Sequence, residues 1–355
     1  MNPAAFAPWQ QRVYAQACER IDAGRLAHGL LICGPAGLGK RAVAEALARR
    51  MLCDARPEHG EACGRCRSCQ LFDARVPADA AELRPDGTPV HPFGRTNHPD
   101  AMFVGQAFNE KTGKMRTEIV IEQIRELSDR LVLTPQYGRA QIALIDPAEA
   151  VNHAACNALL KTLEEPQPGR YLWLITAHPA RLPATIRSRC QKLEFRLPPQ
   201  AEALARLQAQ GHAAKPTAEA LHAARGHPGL AHAWLSGGGL ALRREVAADL
   251  DQLASGRVGA VQVAQRWTAD DQAGLRLRFA ADIALDFALD GAAGAGAEPD
   301  ASGLTGARRT RTLAAWFDAA NRTRDLLRTT VRADLAVTEL LLAWREATAR
   351  RTGRR

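Results

Sequence analysis

Gly34-Pro35-Ala36-Gly37-Leu38-Gly39-Lys40-Arg41 decides how this chain is read. Four residues separate Gly34 from Gly39, and a lysine follows. That is the P-loop pattern up to its last position, where Ser or Thr is expected and Arg41 stands. Glycines let a backbone turn tightly and aim its N–H groups at phosphate oxygens, and the following helix adds the positive end of its dipole. Gly34, Gly37, Gly39 and Lys40 are therefore the candidate nucleotide cradle. The flanks agree with it. Gly29 to Cys33 is a buried-strand run, and Arg41 to Arg50 carries helical spacing. Arg41 puts a fixed cation where a hydroxyl would hold Mg²⁺. It can stand in for part of the metal's charge but cannot position metal and water.

The second apolar strand run, Gln141 to Ile145, ends in Asp146, in the manner of a strand whose aspartate helps hold Mg²⁺. The next position, where an acid would orient the attacking water, is Pro147, with neither charge nor N–H. Glu149 is offset from that position and is given no role. A third strand, Tyr171 to Thr176, ends in a lone polar group. Thr176 is a candidate phosphate sensor, against the plainer reading of a threonine bonded to backbone. The expectation is a nucleotide-binding fold with altered hydrolytic machinery, in which ATP binding itself stays open.

After the P-loop helix come Cys53, Cys63, Cys66 and Cys69, spaced C-x9-C-x2-C-x2-C. Four thiolates at this spacing suit a closed tetrahedral zinc site, which is structural because no position is left for water. An iron–sulfur cluster competes, but the x3-C-P continuation is missing. His91 and His98 read as turn residues of a long loop between Asp73 and His98. Cys18, Cys33, Cys156 and Cys190 sit among apolar neighbours and read as packing residues.

The chain has 355 residues and a net charge of +9, enough for more than one domain and permissive of nucleic acid. From Arg308 to Arg355 there are 12 arginines against 5 acids, with a basic tail from Arg350 to Arg355. No segment reads as a membrane span or a signal peptide, so a cytoplasmic location is expected. After Leu197 the composition turns alanine-rich and helical. Ser236 to Gly239 reads as a hinge, and Asp290 to Gly306 as a Gly/Ala loop. The last helical stretch places Leu327, Val331, Leu335, Thr338 and Leu342 on one face.

The order of these parts, with the run Asn157-Ala158-Leu159-Leu160-Lys161-Thr162-Leu163-Glu164-Glu165-Pro166 and then Thr185-Ile186-Arg187-Ser188-Arg189-Cys190, resembles the clamp-loader branch of the AAA+ ATPases. The cysteine quartet fits the bacterial loaders. The resemblance implies an α/β P-loop AAA+ domain over 1–197 with the inserted four-cysteine zinc module at 53–69. A small helical lid over 198–238 and an all-α C-terminal collar over 239–355 follow. It implies that Arg189, in the Ser188-Arg189-Cys190 motif, is an arginine finger acting in trans on a neighbour's ATP. A permanently charged, multi-donor guanidinium suits that task. Active relatives carry a nucleotide-touching arginine near Gly226, where this chain has Pro228-Gly229-Leu230-Ala231. The expected function is a non-hydrolysing subunit in a ring with loader subunits of the gamma/tau and delta types, helping to place a sliding clamp on primed DNA. The alternatives are an ATP-hydrolysing motor subunit of the gamma/tau type and a zinc-dependent DNA-binding module. The second alternative lacks a recognition-helix context.

Overall fold

The structure, a computed structural model, describes residues 3–56, 60–76, 95–109, 114–137, 140–293, 306–327 and 329–348. His91, most of the Asp73–His98 loop, the middle of the Gly/Ala segment and the Arg350–Arg355 tail lie outside these residues. The chain divides into two compact units, Met1–Gly211 with Ala224–Leu230, and His212–Ala223 with Ala231–Arg355.

In the first unit, helix α1 (Pro8–Asp22) precedes strand β1 (Gly29–Cys33), α2 (Lys40–Leu52) and α3 (Arg67–Asp73). Two short antiparallel pairs follow, β2 (Arg75–Val76) with β3 (Arg95–Thr96), and β5 (Phe108–Asn109) with β6 (Lys114–Met115), flanking β4 (Ala101–Val104). The polar stretch from Phe108 to Met115 is therefore a small β-pairing at its ends. Then come α4 (Ile121–Val132), β7 (Gln141–Ile145), α5 (His153–Glu164), β8 (Arg170–Thr176), α6 (Ala184–Arg187), β9 (Gln191–Glu194) and α7 (Gln200–Ala209).

Strands β4, β7, β8, β1 and β9 form one sheet in that order, every pair parallel. Strands joined by helical crossovers are covered on both faces, so all five residues of β1 and of β7 are buried. Side chains alternate across the sheet. Leu30, Ile32, Ile142, Leu144, Trp173 and Ile175 pack with α1 and α2 in one core. Leu31, Cys33, Ala143, Ile145, Leu172 and Leu174 pack with α4, α5 and α6 in the other. The P-loop leaves the carboxyl end of β1, the edge where parallel sheets hold ligands.

The second unit is helical. It contains α8 (Ala214–Ala223), most of α9 (Pro228–Ser236), α10 (Gly239–Ala254), α11 (Ala260–Trp267), α12 (Ala273–Ala293), α13 (Gly306–Leu326) and α14 (Ala333–Thr348). Its core is rich in tryptophan. Trp316 Nε1 donates to the Leu340 carbonyl and Trp344 Nε1 to that of Leu250, each 3.0 Å or less. Thus each indole buries its ring without stranding its N–H.

Two sequence expectations change here. Helix α12 runs through Asp290 to Ala293, because alanines extend a helix as readily as they populate a loop. The apolar face read as Leu327, Val331, Leu335, Thr338 and Leu342 spans a break between α13 and α14. Val331, Leu335 and Leu342 are exposed. Helix α14 instead buries Val337, Leu340, Leu341 and Trp344, where the largest side chain sets the packed face. Among the described residues no helix is long and apolar enough to cross a membrane.

Candidate nucleotide site, finger and metal centre

The P-loop is held from several sides. Gly34, Gly37 and Gly39 all have positive φ, and a Cβ on Gly34 would overlap the Phe195 carbonyl. Trp9 Nε1 and Gln10 Nε2 both donate to the Leu38 carbonyl, at 3.2 and 3.1 Å. A Cβ on Gly229 would overlap the Gly37 carbonyl, so the first turn of α9 lies directly on the loop.

The loop's own charged side chains bond within the chain. Lys40 is buried, and its Nζ donates to the Gly34 and Pro35 carbonyls at 2.7 and 2.8 Å. Burial pushes its pKa down, partly offset by the negative charges of Asp146 and Glu149. Arg41 Nε donates to Glu45 Oε1 at 2.7 Å, and Arg41 Nη1 to Asp146 Oδ2 at 3.4 Å. Its guanidinium also lies 4.9 Å from the centre of the Phe103 ring. Burial pushes the Asp146 carboxyl up, opposed by Arg41. Thr176 is buried, and its hydroxyl accepts from the His178 N–H at 2.9 Å.

Gly34, Gly37, Gly39, Lys40 and Asp146 are thus brought to one edge of the sheet, with Thr176 ending the neighbouring strand. Sequence reasoning passed over Glu149. A 3-10 turn at Ala148–Ala150 carries it back toward the site, where Oε1 accepts from the Ala177 N–H at 3.2 Å and Oε2 is buried without a hydrogen-bond partner among the described residues. Glu45 had a readable signal, because it stands four residues after Arg41 on one helix. Phe103 had none, since its approach to Arg41 comes from the far strand β4.

The Ser188-Arg189-Cys190 motif lies at the other end of β1. A Cβ on Gly29, the first residue of that strand, would stand 3.1 Å from the Arg189 carbonyl and 3.5 Å from Cys190 Sγ. The P-loop begins after Cys33, and a five-residue strand spans roughly 13 Å between its first and last Cα. Ser188 Oγ donates to the Thr185 carbonyl at 3.0 Å, closing the short helix α6. Cys190 is buried, and burial pushes its thiol up to about 11, so it packs as a neutral group. Between these two anchors Arg189 is exposed. His28 Nε2 bonds the Leu163 carbonyl at 2.8 Å and fixes the end of α5 against this edge.

The four cysteines meet. The Sγ atoms of Cys53, Cys63, Cys66 and Cys69 all lie within 4.8 Å of one another, and this group could hold a metal ion. Backbone N–H groups of Cys63, Cys66 and Cys69 donate to Sγ of Cys53, Cys63 and Cys66 at 3.3 to 3.4 Å. Backbone N–H groups lower the Cys63 thiol, and they outweigh burial at Cys66 to hold it at about 6, whereas burial pushes Cys53 and Cys69 up. Such donors favour thiolates, the form that ligates metal. Helix α3 is tied to α2 by a two-pronged Arg49–Asp73 pair at 2.8 and 2.6 Å.

Ser68, between two of the cysteines, bonds His98 Nε2 at 2.7 Å and the Leu52 carbonyl. The Asp100 N–H donates to His98 Nδ1 at 3.1 Å. The neutral ring with its proton on Nε2 satisfies both contacts, and it links the cysteine module to β4. His98 is therefore a turn residue that is also a buried connector.

A family model described as "DNA polymerase III, delta subunit" matches residues 9–199. The chain is 40% identical over 197 residues to a DNA polymerase III subunit delta' of Pseudomonas aeruginosa, covering 56% of this chain and 51% of that protein. It is 32% identical over 192 residues to the delta' subunit of Escherichia coli, covering 54% and 49%. A gamma/tau subunit of Mycobacterium tuberculosis is 33% identical over 202 residues, covering 56% and 30%. The chain thus spans about half the length of the curated delta' relatives it matches.

Burial pushes the His98 pKa below its ordinary 6.5. Its neutral form is the bonded one, so its contribution to stability is complete above that value and declines as pH falls below it. Comparing urea denaturation of the wild type and His98→Asn between neutral and mildly acidic pH should show a steeper acid loss in the wild type. Equal slopes would remove His98 from the pH dependence.

Proposed function

The chain belongs to the DNA polymerase III delta-subunit family, and we propose that it is a subunit of the delta' type, a non-hydrolysing member of a clamp-loader ring. On this reading residues 1–197 form an AAA+ domain, residues 198–238 a lid, and residues 239–355 join a helical collar. The protein works in the cytoplasm beside loader subunits of the gamma/tau and delta types. Through that assembly it acts on a sliding clamp and primed DNA.

The observation that carries the proposal is the placement of charge. Arg41 holds Asp146, the carboxylate that a hydrolysing relative would give to Mg²⁺, while Lys40 is spent on its own loop carbonyls. Pro147 supplies no base, and the lid offers Gly229 where an arginine would touch nucleotide. Against this self-paired site stands Arg189, exposed at the far end of β1 and unable to reach it. A guanidinium so placed serves a phosphate brought by another subunit. Ser188 and Cys190 hold its turn. The motor reading is favoured by the retained Lys40 and Asp146, but it requires a metal where Arg41 now lies.

The cysteine quartet is assigned to structural zinc. Four Zn–S bonds of about 2.3 Å in a tetrahedron put the sulfurs roughly 3.8 Å apart. Cys53 Sγ and Cys66 Sγ are separated by 3.8 Å. Bound zinc would cross-link α2 to α3 and leave no coordination position for catalysis.

Arg189→Ala should leave the chain folded and slow ATP turnover by the reconstituted loader by roughly 10³-fold at the one site it serves. Turnover equal to wild type would remove the finger role. Metal analysis of reduced, freshly purified protein should find one zinc per chain, and iron or no metal would overturn that assignment. Cys66→Ser should lower the zinc content and destabilise the module.

A further inference from the structure

Arg189 is not free in the unassembled chain. Its Nη2 meets Glu164 Oε1 at 2.6 Å, and its Nη1 donates to the Thr185 carbonyl at 2.9 Å. Glu164 is the last residue of α5. A carboxylate there faces the negative end of the helix dipole, where a cation is the favoured charge. Its position works against the helix unless a cation sits beside it, and Arg189 is that cation. The two side chains remain 37% and 48% exposed, so solvent screens the pair and it can be exchanged at little cost.

We propose that Glu164 is a latch for the finger. It occupies the guanidinium donors while the chain is alone and yields them to a triphosphate presented by the neighbouring subunit. The inference rests on the reading of Arg189 as that finger. A carboxylate and a phosphate compete for the same N–H donors, and a negative Glu164 left beside an incoming triphosphate also repels it. The latch therefore makes engagement depend on the more highly charged partner. A neighbour without the terminal phosphate does not displace it. Glu164 is a positioning residue, since it touches Arg189 and not the nucleotide.

An exposed ion pair of this kind shifts an equilibrium about two- to fivefold. The test is ATP turnover by the complete loader reconstituted with wild type, Glu164→Gln, Arg189→Ala and the double variant, at low and high salt. The latch predicts that Glu164→Gln raises kcat/KM for ATP about two- to fivefold at low salt. The gain should shrink at high salt and vanish when Arg189 is alanine. A slower or unchanged Glu164→Gln loader would overturn the latch and leave the finger standing. So would a gain that persists in the Arg189→Ala background. If Arg189→Ala alone has wild-type turnover, the finger reading itself fails and the latch with it. Thermal unfolding of each free chain checks that the exposed substitutions leave the fold intact.

Discussion

In the proposed reading, the contact between Arg41 and Asp146 governs the chemistry of this fold. A P-loop gathers backbone N–H groups, a lysine and a strand-end carboxylate at one sheet edge, and in an active site nucleotide and metal balance those charges. Here the balance is internal. Arg41 reaches Glu45 along its own helix and Asp146 across the sheet, with Phe103 beneath it. Lys40 folds back onto Gly34 and Pro35, and Glu149 adds a further negative charge nearby. Bringing in Mg²⁺ would require separating a half-buried ion pair and leaving Arg41 beside a divalent cation.

On the proposed reading the local site is self-balanced, and the exposed Arg189 at the opposite edge carries the chemistry. β1 is the axis of this arrangement, with the loop at its carboxyl end and the Arg189 turn at its amino end. Burial of Cys190 and closure of α6 by Ser188 leave Arg189 as the side chain that projects between them. On the proposed reading, the fold separates a nucleotide-like site that does no chemistry of its own from an exposed cation held by an exchangeable ion pair. In the proposed ring, this separation makes the subunit a donor of charge to its neighbour.

Much of this was legible in the sequence, for physical reasons. Strands β1, β7 and β8 are covered on both faces, so they read as unbroken apolar runs. The cysteines announced themselves by spacing, and their sulfurs converge. What the sequence hid were contacts between distant elements. A carboxylate at 149 looked misplaced until a 3-10 turn brought it back, and Ser68 and His98 are 30 residues apart yet bonded. Helix α14 was assigned the wrong packed face. Leucines recur at helical spacing on both sides of it, and only tertiary packing around Trp344 chooses between them.

The most direct test of the account is equilibrium binding of ATP to the isolated chain, titrated with and without Mg²⁺, followed by phosphate release on the same sample. A site closed by the Arg41–Asp146 pair predicts no tightening on adding Mg²⁺ and no phosphate release. Binding that strengthens with Mg²⁺ and proceeds to phosphate release would contradict it. It would mean that Asp146 leaves Arg41 for the metal and that the P-loop works as a motor's does.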